Sequence, residues 1–293
     1  MSLTLDPSRA AQAFLNPPGV PRIDFTQPAG AGALSSPDSV TWRVFKNPLA
    51  LMIGGVTAVL LELAEPRVRT GVWEHTTFRT DPVGRMRRTG LAAMATVYAP
   101  AETARAMIAG ISRRHARVAG VTPDGAPYSA ADPALLDWVQ ATASFGFLEA
   151  YCAYAAPLPS EEKNRFYAEA QPAAALYGAT AAPRSLAEME ATLQRFAPLL
   201  QPHPIMFEFL DIFAKAQIGA PPGFQRLAAK AGIALLPSWA RAKLDLGRAF
   251  DLPFGARTLL RALGAAADRI VLREAPPAQA CVRMGLPADY LYR

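Results

Sequence analysis

Along most of the chain, apolar residues return every three or four positions in segments that open at proline and close at glycine or proline, the punctuation of helices. Ala104, Ile108, Ile111, His115 and Val118 follow this period, so at about 100° per residue the imidazole shares a face with aliphatic side chains while Arg113, Arg114 and Arg117 point elsewhere. Pro100 at the first position and Gly120 just past the last predict one helix between them. The apolar run Leu49 to Leu61, closed by Pro48 and Glu62, is shorter than the roughly 20 residues that cross a bilayer. It predicts a buried core helix in which Gly54 and Gly55 both admit a neighbouring backbone. Asp81-Pro82 opens a helix with Arg85, Arg88 and Thr89 on one face, beside the apolar stripe Val83, Met86, Gly90 and Met94. Asp132-Pro133 opens a long one through Leu136, Trp138, Val139, Phe145 and Tyr151. Ser185 with Glu188 spells a capping box before a helix ending near Pro198, and residues 205–218, 224–236 and 254–273 continue the helical pattern.

Two stretches break the period. Gly71 to Phe78 reads as short or irregular, and residues 16–38, crowded with Pro, Gly, Ala and Ser, read as an arm draped over the surface. The expected fold is therefore mainly α, a single large multi-helix bundle of roughly ten helices enclosing a pocket. An extended arm spans residues 1–40, a helical domain 41–275 and a tail 276–293, with no internal repeat.

Composition sharpens this picture in three ways. Among 293 residues, 51% are hydrophobic and 27 are proline, which suits many short helices around a sizeable core. The net charge of +6 raises nucleic acid or an acidic membrane as partners, but the basic residues, mostly arginine, are scattered rather than blocked, so no nucleic-acid partner is expected. The two cysteines, Cys152 and Cys281, form no CxxC pair and signal neither zinc nor a disulfide framework. The first residues lack a charged leader before an apolar stretch, so the expected location is the cytoplasm, with no integral membrane span.

Several chemistries lose support. None of His75, His115 and His203 has a glutamate three residues before it, as a di-iron carboxylate bundle needs. HExxH, GxSxG, a Walker loop and a strand-borne GxGxxG are all missing. His115 on an inward helix face then has two readings, a core histidine satisfied by a carbonyl or an axial iron ligand. With arginines on another helix face and abundant apolar wall residues, the second suits haem: imidazole for iron, arginine for propionates, aliphatics for the macrocycle. His203, between two prolines, reads as structural.

Leu60-Leu61-Glu62-Leu63-Ala64-Glu65-Pro66, His75 before Thr77-Phe78, Asp81-Pro82 with Arg85 to Thr89, and His115-Ala116-Arg117-Val118-Ala119-Gly120 follow one another in an order that resembles the haem-binding oxygenases that include the latex clearing proteins, the MpaB-like family. Tyr128, Asp132-Pro133 and Trp138-Val139 extend the likeness, and Tyr167, Glu169, Tyr177-Gly178 and Leu236 to Arg241 carry it on, so that it covers roughly residues 41 to 275. The resemblance implies a b-type haem with His115 as the proximal metal ligand, and Arg85, Arg88 and Thr89 on the distal, oxygen-binding side. Arg88 stands where some members have lysine; it cannot ligate iron and serves as a donor instead. Glu65 and Gln140 replace histidines of many members, and Gln140 offers a substitute hydrogen bond to the axial imidazole. Glu62 and Glu65 are either a distal base, as carboxylate-bearing relatives imply, or partners of Arg67 and Arg69. His75 is a propionate contact, a residue behind the ligand or a turn histidine, and Trp138 and Gln140 complete the expected cofactor contacts.

The function so implied is haem b-dependent oxygenation of an apolar, unsaturated small molecule by dioxygen, with an intracellular terpenoid or aromatic metabolite favoured over rubber, because latex clearing proteins are exported. Its rivals are haem-dependent peroxidase, dehydrogenase or cyclase chemistry, a haem or lipid carrier or sensor without turnover, and a helical domain with no cofactor.

Overall fold

The computed structural model describes residues 22–218, 221 and 223–293. The elements run α1 (Val40–Phe45), α2 (Pro48–Ala64), α3 (Pro66–His75), α4 (Pro82–Tyr98) and α5 (Ala101–His115), then a hairpin of β1 (Ala119–Val121) and β2 (Pro127–Ser129), then α6 (Pro133–Tyr154). Next come α7 (Ser160–Glu169), α8 (Gln171–Tyr177), α9 (Leu186–Phe196), α10 (Pro204–Lys215), α11 (Phe224–Ile233), α12 (Ser238–Lys243), α13 (Ala256–Ala267) and α14 (Pro276–Arg283), with single 3-10 turns at Arg248–Phe250 and Tyr290–Tyr292. The protein is mainly α, as the periodicity implies, with helices shorter and more numerous than the ten expected.

Proline punctuation explains many of the starts. Pro48, Pro66, Pro82, Pro133 and Pro204 open helices whose exposed amides are met by the side chains of Asn47, Glu65, Asp81, Asp132 and His203. α2 is the axis. Ile53, Leu60, Leu61, Leu63 and Ala64 are sealed in the main core, and each buried Leu or Ile contributes about 1.5–3 kcal/mol. α2 and α6 cross backbone to backbone: a Cβ on Gly54 would lie 2.5 Å from the Gly146 carbonyl oxygen, so neither position tolerates a side chain.

A second core joins α1, α4 and α14 around Trp42, Tyr98 and Cys281. The Trp42 and Tyr98 rings meet edge to face at 5.0 Å, and the Tyr98 hydroxyl donates to the Trp42 carbonyl at 2.7 Å. α4 thus packs against α1, α5 and α14, without extensive backbone contact to α2 or α6.

Four expectations change. α5 ends at His115, with Pro100 before its first turn, and Gly120 lies in β1 opposite Tyr128. A Cβ on Gly120 would sit 2.7 Å from the Tyr128 hydroxyl oxygen, so that glycine makes room for a ring and does not end a helix. Gly71 to His75 completes α3, because α3 is stitched to the hairpin through Tyr128. The Ser185 hydroxyl accepts from the Glu188 amide at 3.2 Å, but the Glu188 carboxylate takes the Arg184 amide, so only half of the capping box forms. Residues 276–283 form α14, whose Arg283 donates to the carbonyls of Phe25 and Ala31 at 2.8 Å and holds the arm to the body. The readings that concern residues 1–21 lie outside the described residues. No single described helix is long and apolar enough to cross a membrane; α2 and α3 pass together only as a pair bent by 108°.

Candidate functional site

α2 has one face that does not seal. Leu51, Gly55, Val59 and Glu62 lie at successive turns of a single stripe, and each keeps part of its surface accessible, whereas most other positions of the helix are buried. At Gly55 an added Cβ would meet nothing within 4 Å, the opposite of its neighbour Gly54. Glu62 lies deep in the protein, yet its side chain is not closed off. α4 comes close to this stripe: Leu51 packs against the second core, which α4 helps to form, and Arg85 of α4 acts electrostatically on Glu62.

Arg85 approaches Glu62 from α4. It is deeply set and partly accessible, and its guanidinium donates to the Thr89 hydroxyl one turn on, which in turn donates to the Arg85 carbonyl at 3.0 Å. Burial lowers the Arg85 pKa and the charge of Glu62 opposes that shift; an arginine remains a cation at neutral pH in either case. Burial pushes the Glu62 carboxyl up to about 7, an effect only partly offset by the Arg85 charge and by the Thr142 hydroxyl, which lies 3.4 Å from Glu62 Oε1. Glu62 is therefore poised between its two protonation states at neutral pH.

His115, on the last turn of α5, feels the same arginine. Burial first, then the charges of Arg85 and Arg114, lower its pKa from 6.5, so the imidazole is neutral at pH 7. Its Nδ1 is sealed from solvent without a hydrogen-bond partner. Glu62, Arg85 and His115 thus come from three helices and act on one another electrostatically through Arg85.

The other expected site residues are placed differently. Arg88 turns to the start of α4, donating to the Thr77 hydroxyl at 2.6 Å and pairing with Asp81 at 3.3 Å on the exposed side. Thr89 is exposed apart from its bond to Arg85. His75 Nε2 meets the Tyr128 hydroxyl at 3.0 Å, and that hydroxyl donates to Glu74 at 3.2 Å, which clamps α3 onto the hairpin following His115. Trp138 is fully buried and stacked on Phe196 at 4.3 Å. Gln140 donates to Ser144 at 3.3 Å, along its own helix. Glu65 caps α3 through the Val68 amide at 2.8 Å and pairs with Arg67 at 2.7 Å, and His203 caps α10.

Two residues at the site escaped sequence reasoning. Thr142 of α6 steadies Glu62, and Ser112 of α5 holds a buried, unpartnered hydroxyl one turn before His115. Nothing in the local sequence marks either, since serine and threonine are ordinary residues within helices and their partners here are set by packing.

Among the described residues no three His, Cys, Asp or Glu side chains gather as a metal cage. A haem iron asks the protein for one or two axial donors. A neutral imidazole with an unsatisfied ring nitrogen and a fixed cation acting on it fit such a group.

A family model described as "ER-bound oxygenase mpaB/B'/Rubber oxygenase, catalytic domain" matches residues 42–269. No curated protein and no solved structure matches the chain.

Proposed function

The chain belongs to the mpaB/rubber oxygenase catalytic-domain family, whose members are oxygenases, and from that premise we propose that it binds haem b through His115 and oxidises an apolar, unsaturated small molecule with dioxygen. The observation that carries this reading is that Arg85 acts on both His115 and Glu62, which links an imidazole and a carboxylate from two other helices. Bound haem would supply the redox centre at which dioxygen is activated.

The chain's own residues do the rest. His115 offers a neutral imidazole, held so by burial and by the repulsion of Arg85 and Arg114. Arg85 carries a permanent charge fixed by Thr89, suited to a haem carboxylate or to an oxygen on which negative charge develops. Glu62 takes up or releases a proton at Oε1 near neutral pH, the requirement for a general base that regenerates itself. Gly55, which faces open space, shares the partly accessible stripe of α2 with Val59 and Glu62, an apolar approach suited to hydrocarbon rather than polar substrates. In this reading Arg88 braces the start of α4 and His75 braces the hairpin, each one step removed from the reacting atoms.

The test is the visible spectrum of the purified chain titrated with haem, for the native protein and for His115→Ala. A Soret band in the native protein that His115→Ala shifts or abolishes is the expected result, followed by consumption of dioxygen with terpenoid or aromatic alkenes. A native protein that shows no Soret shift on haem addition overturns the reading.

A further inference from the structure

Nine large hydrophobic side chains stand exposed among the described residues, and four of them, Phe254, Leu259, Leu263 and Ile270, cluster on α13 and the turns at its two ends. Phe254 is fully exposed, and the other three keep 52, 41 and 55% of their surface. α13 cannot turn to bury them. Its Ala256, Leu260 and Gly264 face inward at four-residue steps, and a Cβ on Gly264 would lie 2.0 Å from the Tyr154 carbonyl oxygen of α6, so the close approach of two backbones fixes the helix's rotation.

At about 100° per residue, the exposed arc of α13 grades from Arg257 and Arg261 at one rim, through Thr258 and Ala262, to Leu259 and Leu263 at the other. Arg269 and Ile270, both exposed, follow directly after the helix. Residues 248–274 hold five arginines against three carboxylates, and two of the three are committed: Asp251 pairs with Arg241, and Asp268 with Lys46 at 3.2 Å. The surface therefore joins unburied hydrocarbon to an excess of positive charge.

A second copy meeting this face across a two-fold axis would set arginine against arginine, with too few carboxylates to answer them. An anionic bilayer suits both rims at once. The apolar rim enters the acyl boundary, and because a helix is about 10 Å across, the basic rim stays within about one Debye length of the lipid phosphates. We propose that α13, with Phe254 before it and Ile270 after it, docks the protein on the surface of an anionic lipid bilayer without spanning it. The docking stands whether or not haem binds, and it sets an enzyme of apolar substrates beside the phase in which they dissolve.

The experiment is co-sedimentation of the purified full chain with extruded vesicles of phosphatidylcholine, alone or with about 30% phosphatidylglycerol, in about 0.1 M salt. The native chain is expected to bind the mixed vesicles at least about tenfold more tightly than the neutral ones. Phe254→Ser combined with Leu259→Gln is expected to weaken that binding by about tenfold or more, and Arg257→Gln or Arg269→Gln by about fivefold each, with smaller arginine effects at higher salt. Val121→Ser, at an exposed residue of β1, is expected to leave it unchanged, and unaltered urea midpoints show that the variants fold. A native chain that binds neither vesicle, binds both equally, or binds as well after Phe254→Ser and Leu259→Gln overturns the proposal, as does an equal loss in Val121→Ser. A concentration-dependent dimer that the same double variant abolishes, with no vesicle binding, overturns it in favour of a second copy.

Discussion

Gly54 and Gly55 are adjacent in the chain, in the same helix, and do opposite things. Gly54 lets α2 touch the backbone of α6, with the Gly146 carbonyl where its Cβ would be, whereas Gly55 turns about 100° away into space with nothing within 4 Å. The first builds the core and the second faces open space. The lesson is that one helix serves both purposes, and a phase difference of one residue separates the seam from the open face.

The sharpest way to break this comparison is to add the same methyl group to each side. Gly54→Ala must push two helix backbones apart, and is expected to cost about 2–4 kcal/mol, read as a lowered urea midpoint. Gly55→Ala meets no atom and gains helix propensity, so it is expected to be neutral or to stabilise by up to about 1 kcal/mol. Equal losses at the two positions would show that the face at Gly55 is closed in solution.

Glu62 extends the comparison to charge. Its carboxyl is raised from 4.5 to about 7 in the folded protein, so between these values the folded state binds more protons than the unfolded one. Stability therefore falls as pH rises from about 4.5 to 7 and is level beyond, the full penalty for ionising the group being about 3 kcal/mol. Glu62→Gln is expected to match the native protein near pH 4 and to exceed it increasingly up to pH 7 in urea denaturation, while oxygenase turnover drops by roughly 10²-fold or more with the loss of the base. A stability difference independent of pH would mean that Glu62 is solvated and ordinary. Its neighbour three positions on, Glu65, supplies the contrast: the chain breaks there, and its carboxylate is used up by the Val68 amide and Arg67.

These pairs show what is legible in the sequence and what is not. The starts of α2, α4 and α6 follow from Asn47-Pro48, Asp81-Pro82 and Asp132-Pro133, whose capping is local chemistry. The inward face of His115 follows from its phase with Ala104, Ile108 and Ile111. The division of labour between Gly54 and Gly55, or Glu62 and Glu65, does not follow from residue type, because each depends on what another helix brings opposite. Gln140 looked like a partner for the imidazole and donates along its own helix; Thr142 carried no mark and lies 3.4 Å from Glu62. Local rules reach as far as one helix, and the site is made of three.

The smallest expected effect concerns the side away from the cavity, where the hairpin is anchored. Tyr128 fills the room that Gly120 leaves, and its hydroxyl joins His75 and Glu74 of α3. Tyr128→Phe removes two hydrogen bonds at a partly buried site and is expected to cost about 1 kcal/mol, with the Soret position of a haem-loaded chain unchanged, since the clamp holds the hairpin and not the iron ligand. Gly120→Ala, whose Cβ would press on the Tyr128 hydroxyl at 2.7 Å, is expected to be the more damaging single change, and combining it with Tyr128→Phe should recover part of the loss, because the nearest of the three ring-end atoms in the way is then gone while the ring carbons at 2.9 and 3.0 Å remain. Strict additivity of the two would separate Gly120 from Tyr128 and return the glycine to the helix-ending role that its sequence position suggests. Coupling between them would confirm that the spacing from His115 to Gly120 serves a ring seated under the hairpin, so that the closed side of the site is built by packing and the open side by its absence.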